Sequence, residues 1–388
     1  MKILFVHDFY RNFGGEDAVA LAERQMLENR GQELTLYHRH NVEVDTYSSW
    51  SRMAFPAQTI YSLRTRKEIV DLALRSRPDF AYIHNVFPLI SPSLYHILHS
   101  KDIPSLQVMH DFRFFCPNGW FYTRGGICER CKHGNYLNAV RYRCYRDSHS
   151  LSALYALSIG LNRMGGLLEK INGFICLTEF SRQKLLEIGL PKHKLFVRPN
   201  FIDSSLPAAT PGTGDYVLYL GRLSPEKGLW TLVRAFEKLK SIKLKIVGTG
   251  PLESSLRVYL RENNINNVEL LGFKQGAEKW QILRDSLFLV VPSQWYETFC
   301  MVALEAYVAG KPVVASNLGS LPYVVEDGRT GLLFNPGDPD DLAEKVNHFL
   351  LNTSDMSRMG TLGRELAQTK FSPDESYKML MDIASKIL

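Results

Sequence analysis

The sequence predicts an α/β protein of two doubly wound halves, each built on a parallel sheet. Short apolar runs alternate with stretches of helical periodicity along the chain, the pattern that places crossover helices between parallel strands. The 388 residues exceed what one hydrophobic core organises and suit two domains of ordinary size. Near the middle, residues 203–215 (DSSLPAATPGTGD) turn to Asp, Ser, Pro, Ala, Thr and Gly before the alternation restarts, which reads as a linker.

In the first half, residues 3–6 form a short buried strand. Residues 16–30 follow as a helix, with Val19, Leu21, Ala22, Met26 and Leu27 at helical spacing and Gly31 as its stop. Residues 34–37, 80–84, 105–109 and 174–177 are further strands, and 195–197 closes the sheet. In the second half the strands fall at 216–220, 244–247, 268–271, 287–291 and 313–316, with helices between them. Phe371-Ser372-Pro373 then separates off an amphipathic helix over 373–388.

Apolar residues at 45% and charged residues at 22% suit a folded globular chain rather than a disordered one. No apolar run approaches the roughly 18 residues that span a bilayer. Only four apolar residues follow Met1-Lys2 before His7-Asp8, too few for a signal-peptide core, so a cytoplasmic, reducing setting is expected. The net charge of +6 is uneven, since residues 1–190 hold 23 Lys and Arg against 18 Asp and Glu. Arg64, Arg66 and Lys67 form one basic cluster and Arg141, Arg143 and Arg146 another. Such clusters form a solvated surface or rest against anionic lipid headgroups, at about 1 kcal/mol per basic residue. Nothing else in the sequence supports a nucleic-acid partner.

Two segments carry chemistry. Gly221-Arg222-Leu223-Ser224-Pro225-Glu226-Lys227-Gly228 follows an expected strand. Ser224 suits a helix N-cap and Pro225 the first helical position. Lys227 would then sit in the first turn, where the helix dipole disfavours a cation. An anion held between Arg222, Lys227 and nearby amides accounts for that placement; a surface loop with ordinary charges is the alternative. The second segment, Trp295 to Ala306, also follows a strand and is expected to open a helix, with the amides after Glu297 favouring a diphosphate. On one helix Glu297 and Glu305 would lie about 12 Å apart along a single side. That exceeds the roughly 5–9.5 Å of paired glycosidase carboxylates, so the two acids suit separate hydroxyls of one long ligand. The alternative, a cap plus a solvated glutamate, fits Glu305 poorly among Val302, Ala303, Leu304 and Ala306. The acidic string at 338–341 precedes an amphipathic helix and reads as N-terminal capping rather than a metal motif. Residues 247–251 lack the third glycine of a dinucleotide fingerprint.

Four of the six cysteines, Cys116, Cys128, Cys131 and Cys144, fall within 29 residues of an insertion poor in aliphatic side chains. A reducing compartment makes disulfides the weaker explanation. The C-x2-C pair with two further cysteines suits a structural tetrahedral zinc, and four free thiols are the alternative. The same insertion interleaves Phe112, Phe114, Phe115, Trp120, Phe121, Tyr122, Tyr136, Tyr142 and Tyr145 with arginines, either an acceptor surface or a small local core.

Taken together, the GRLSPEKG segment, Val247-Gly248-Thr249-Gly250-Pro251, the Glu297–Glu305 spacing, Ala309-Gly310-Lys311-Pro312-Val313 and Asp327-Gly328-Arg329-Thr330-Gly331-Leu332-Leu333, with Gly14-Gly15 and His110-Asp111 in the first half, resemble the retaining glycosyltransferases of family 4. The resemblance implies the GT-B fold, two Rossmann-like domains facing a central cleft. An acceptor-binding domain would span 1–202, with its Cys-rich insertion at 111–150, and a donor-binding domain 203–372, the helix 373–388 packing back on the first. It implies transfer of a hexose-type sugar from a UDP- or GDP-linked donor to a glycan or lipid-linked acceptor, with no catalytic metal. Arg222 and Lys227 would hold the donor diphosphate, Glu305 the ribose hydroxyls, and Glu297 the donor sugar, with the amides of Thr298, Phe299 and Cys300 nearby. His110 would face the sugar. Gly14 and Gly15 would admit the phosphate, and Gly221, Gly248, Gly250, Phe273 and Lys274 would line the base and phosphate end. Cys300, Ser320 and Tyr323 depart from the pattern and leave the sugar unspecified. A non-catalytic sugar-nucleotide-binding module, or an epimerase- or phosphorylase-type enzyme on the same scaffold, are the other classes. The intact Arg222, Lys227, Glu297 and Glu305 argue against the module, and no motif supports the second.

Overall fold

The computed structural model describes residues 1–204 and 214–388, so most of the expected linker lies outside the described residues. The chain divides into two compact units, one of Met1–Thr123, Cys128–Pro199 and Tyr377–Leu388, the other of Arg124–Ile127 and Asn200–Ser376.

The first unit holds β1 (Lys2–Phe9), β2 (Glu33–His40), β3 (Phe80–Ile83), β4 (Ser105–Met109), β5 (Tyr122–Thr123), β7 (Gly173–Cys176) and β8 (Leu195–Val197), while the two-residue β6 (Gly126–Ile127) falls in the second. Six of these strands form one parallel sheet in the order β2-β1-β3-β4-β7-β8. The second unit repeats the scheme with β9 (Tyr216–Leu220), β10 (Lys243–Val247), β11 (Val268–Gly272), β12 (Leu289–Val291), β13 (Val313–Ser316) and β14 (Gly331–Phe334), in the order β11-β10-β9-β12-β13-β14 and again all parallel. Central strands such as β3 and β9 are buried along their whole length, as helices on both faces require. The fold is that of GT-B proteins, two parallel-sheet α/β domains.

Strand β14 was not among the expected elements. It is four residues long, opens on Gly331, and is only partly buried at Leu332 and Leu333, so its apolar signal is weak. A Cβ on Gly331 would fall 1.9 Å from the Val313 carbonyl oxygen, which is why glycine starts this edge strand.

In each sheet the first strand has its chain neighbours on opposite sides. β1 lies between β2 and β3, and β9 between β10 and β12. The loops after β1 and β3, and those after β9 and β12, therefore flank the points where winding reverses. Ligands of such sheets bind at these switch points, beyond the carboxyl ends of the strands.

The first unit is tied together by a buried ion pair. Arg198, just past β8, bonds Glu23 of the helix Gly15–Asn29 in a bidentate fashion (2.8 and 3.0 Å) and Tyr82 of β3 at 2.9 Å. On the C-terminal helix Pro373–Ile387, Tyr377 accepts a hydrogen bond from Gln32 Nε2 (2.8 Å) and lies beneath Arg30. Among the aromatics of the insertion, Phe112, Phe114, Phe115, Phe121, Tyr122 and Tyr136 are buried, so these six form local core.

Candidate active site

The turn after β9 begins at Gly221 and lies against the loop after β10, with the Leu223 amide donating to the Thr249 carbonyl at 2.9 Å. A Cβ on Gly248 would come within 1.9 Å of the Gly221 carbonyl oxygen, and one on Gly250 within 2.4 Å of that of Leu223. Both glycines are thus accounted for by the contact between these loops, without appeal to a ligand.

The expected Ser224-capped helix does not form. Pro225–Lys227 make a single 3-10 turn, Gly228 follows in the left-handed region (φ +71°), and the α-helix runs Leu229–Lys238. A side chain at 228 would meet the Pro292 carbonyl oxygen at 1.8 Å. Instead of capping, Ser224 Oγ donates to Glu226 Oε1 (2.6 Å) and accepts from Arg222 Nε (3.0 Å), and Arg222 also pairs with Glu226. Burial raises the Glu226 carboxyl, but Ser224 and Arg222 outweigh it and hold it below its ordinary range. Lys227 lies outside the α-helix, so the predicted dipole conflict disappears. Its Nζ reaches Glu297 Oε1 at 2.6 Å and stands 5.1 Å above the Trp295 ring.

Glu297 and Glu305 do not share a helix, contrary to expectation. The helix is Met301–Val308 with Cys300 at its N-cap position, and Glu297 lies in the loop before it. Ser293 Oγ also donates to Glu297 Oε1 (2.8 Å), and the Ser320 amide donates to the Glu297 carbonyl at 3.2 Å. On the helix, Glu305 Oε1 accepts from Lys279 Nζ at 2.8 Å. Its Oε2 is buried with no hydrogen-bond partner among the described residues, although buried carboxylate oxygens normally have one.

Two buried groups report the surroundings. Burial pushes the Cys300 thiol up to about 12, with Glu297 and Glu305 adding to the rise and Lys227 opposing it. Tyr219 is raised well above its ordinary range by burial, then by Glu297 and Glu226, with Arg222 opposing. Arg222, Lys227, Glu297 and Glu305 therefore act on one neighbourhood at the β9/β12 switch point. Thr298 and Phe299 are buried beside it, Phe299 edge-to-face with Phe371. Phe273 and Lys274 follow β11, two strands from β9, with Phe273 exposed and Lys274 paired to Glu278. Ser293, Glu226, Lys279 and Tyr219 were not anticipated. Ser293 had a usable signal in its position just after a strand; Lys279 had none.

At the switch point of the first unit, the Gly14 amide donates to Asp17 Oδ2 at 2.8 Å, and Asp17 Oδ1 pairs with His7 Nε2 at 2.9 Å. A Cβ on Gly15 would meet nothing within 4 Å, so the chain leaves open space there. His110 Nε2 and His84 Nδ1 are 2.8 Å apart, and burial holds both imidazoles well below their ordinary range. They line a pocket with Glu16, Asp111, Arg113 and Phe114. Tyr10 Oη donates to Glu16 Oε2 (2.7 Å), and Arg113 pairs with Asp111 (3.0 Å). Burial, reinforced by Asp111, pushes Glu16 up to about 8. Sequence reasoning singled out His110, which lines this pocket, but not His84 or Glu16, although Glu16 directly follows the Gly-Gly pair.

The clustered cysteines are neighbours in space. Burial raises the Cys131 thiol to about 12, with Cys116, Cys144 and Cys128 each adding to the rise. Cys116 Sγ donates to Asn118 Oδ1 (3.0 Å), Cys144 Sγ lies 3.9 Å from Thr123 Oγ1, and no disulfide links any of the six cysteines. No three His, Cys, Asp or Glu side chains among the described residues are arranged to hold a metal. A tetrahedral set would require Cys116 and Cys144 to leave these partners.

Residues 205–366 match the family Glycosyl transferases group 1. An uncharacterized glycosyltransferase, MJ1178 of Methanocaldococcus jannaschii, is 33% identical over 51% of this chain and 55% of its own length, so the chain spans about half of that relative. A glycogen synthase of Mycobacterium tuberculosis (strain H37Rv) is 27% identical over 83% of this chain and 72% of its own. Among solved structures, Anabaena Alr3699/HepE in complex with UDP superposes with a TM-score of 0.69 at 20% identity, covering 99% of this chain and 100% of that one.

Proposed function

We propose that this chain is a cytoplasmic, retaining glycosyltransferase that needs no catalytic metal. It moves a hexose-type sugar from a UDP- or GDP-linked donor to a hydroxyl of a glycan or lipid-linked acceptor, in the synthesis of a bacterial surface polysaccharide or glycolipid. The match to Glycosyl transferases group 1 and the relatives above support glycosyl transfer, and a structural neighbour described with UDP supports the class of donor. One observation carries the reading. Two cations and two carboxylates gather at one switch point, and one oxygen of Glu305 has no partner.

In this reading Arg222 and Lys227 take the donor diphosphate and stabilise the charge that builds on the departing phosphate oxygen. Lys227 then shares itself between the diphosphate and Glu297. Glu297 and the amides of Thr298, Phe299 and Cys300 orient the donor sugar. Glu305 Oε2 accepts from a ribose hydroxyl, satisfying the orphaned oxygen. His110, kept neutral, exchanges hydrogen bonds with a sugar hydroxyl. Gly14 and Gly15 admit the phosphate, and Gly221, Gly248, Gly250, Phe273 and Lys274 shape the base and phosphate end. In the resembling family the departing phosphate oxygen takes the acceptor's proton, so no separate base is required. The first unit binds the acceptor and the second the donor. Cys116, Cys128, Cys131 and Cys144 hold a structural zinc that orders the insertion, and a peripheral contact with an anionic membrane brings the enzyme to its acceptor.

The test is release of nucleoside diphosphate from a panel of UDP- and GDP-sugars, with the anomeric configuration of the product read by NMR. Donor-dependent release with retention is expected. No release from any donor would reduce the protein to a binding module, and an inverted product would remove the retaining mechanism.

A further inference from the structure

The helix His149–Met164 buries Tyr155, Ala156 and Ile159 together with polar side chains. Its inward face carries Ser152, Ser158 and Asn162, which bond Tyr145 N (3.0 Å), the Thr59 carbonyl (3.0 Å) and the Ile60 carbonyl (3.1 Å). Its outward face carries Leu157, Leu161 and Met164, exposed by 53%, 45% and 86%. Their i, i+4, i+7 spacing makes one continuous apolar stripe. Single exposed apolar residues are ordinary, but a helical stripe of them on a helix that already buries an apolar face is not.

The same hydrogen bonds seat this helix against the helix Ser49–Ile60, whose Met53 is 73% exposed. Charge is distributed in keeping with that. Residues 46–67 and 130–168 hold ten Lys and Arg against one acid, the exposed Asp147, which pairs with Arg143 at 3.2 Å, and Arg52 and Arg141 are exposed on helices packed against this one. An apolar stripe whose flanking segments carry many cations and a single carboxylate complements an anionic lipid surface, where apolar side chains enter the acyl boundary and cations meet the headgroups.

We propose that the outward face of His149–Met164, with Met53, Arg52 and Arg141, is the surface by which this protein lies on an anionic bilayer. The proposal rests on the membrane contact in the proposed function and on nothing at the donor site.

The full chain is incubated with vesicles of phosphatidylglycerol mixed with phosphatidylcholine, and with phosphatidylcholine alone, and sedimented. Wild type is expected to bind the anionic vesicles about tenfold more tightly. The triple variant Leu157→Ser, Leu161→Ser, Met164→Ser should lose about tenfold of that binding while keeping its melting temperature and its release of nucleoside diphosphate. Because sedimentation needs no donor, failure of the transferase reading and failure of this one are separable. Equal binding of both vesicle types, or equal binding by wild type and variant, overturns the proposal. A wild-type dimer that the variant turns into a monomer, without vesicle binding by either, assigns the face to a second copy of this chain and also overturns it.

Discussion

In the first unit, several groups beside the switch point are kept neutral by burial, although Arg113 and Asp111 form an ion pair there. Leu89 N donates to Asp8 Oδ2 at 2.7 Å, yet burial still lifts this carboxyl to about 8. Glu16 is lifted to a similar value, and His84 and His110 are held well below the imidazole range. In the second unit, the corresponding loops carry Lys227 against Glu297 and Arg222 against Glu226, and Ser224 and Arg222 hold the Glu226 carboxyl below its ordinary range. The two sheets have the same winding, so topology does not set this difference. It follows from whether a counter-charge lies within hydrogen-bond reach of each buried acid. A site that must meet a diphosphate is best served by cations already lodged in place, and one that handles neutral hydroxyls by groups that have given up their charge.

The sharpest way to break the contrast is Lys227→Ala. Loss of a cation that stabilises the leaving group should cost about 10²–10³-fold in kcat. Because Glu297 keeps only Ser293 at Oε1, it should also cost about 1–3 kcal/mol of stability. Turnover assays and denaturant melts read the two effects, and a variant with undiminished kcat removes Lys227 from the chemistry. A second test concerns the thiols of the first unit. Protein purified without chelator should carry close to one equivalent of zinc, and Cys131→Ser should lose it. Elemental analysis decides, and wild-type zinc far below one equivalent ends the idea.

The smallest effect concerns pH. Asp8 ionises near 3.8 when unfolded and about 8 when folded. Between those values the folded chain holds a proton that the unfolded chain releases. The contribution to stability is therefore complete below about pH 4 and declines as pH rises toward 8. Asp8→Asn should flatten the fall in melting temperature between pH 5 and pH 8, while Glu16 leaves part of the slope in place. Identical slopes for the two proteins would show that Asp8 is not protonated in the fold.

Much of this was legible in the sequence because β-rich apolar runs and turn glycines are local signals. Eleven of the twelve principal strands could be read that way, and the missing one, β14, is short and opens on a glycine. Arg222, Lys227, Glu297 and Glu305 could be singled out because their motifs follow the strands β9 and β12, and the fold brings them to one switch point. What escaped was non-local. Gly228 is folded left-handed against Pro292, a contact across 64 positions, and this converts a predicted helix start into an isolated turn. Lys279 meets Glu305 from a different helix, and His84 meets His110 from a neighbouring strand end. Spacing within a single motif holds no record of such meetings. The buried Ser158 was likewise unreadable, because its acceptor, the Thr59 carbonyl, belongs to another helix.

The contact at Gly228 also bears on how this protein could be re-engineered. With main chain packed on main chain between the two turns, the offset between the backbones that carry the lysine and the glutamate is set by that packing. Substitutions at Ser320 or Tyr323 could then retune sugar preference while that offset stays constant, whereas any residue larger than glycine at 228 would pry the turns apart and disable every donor alike.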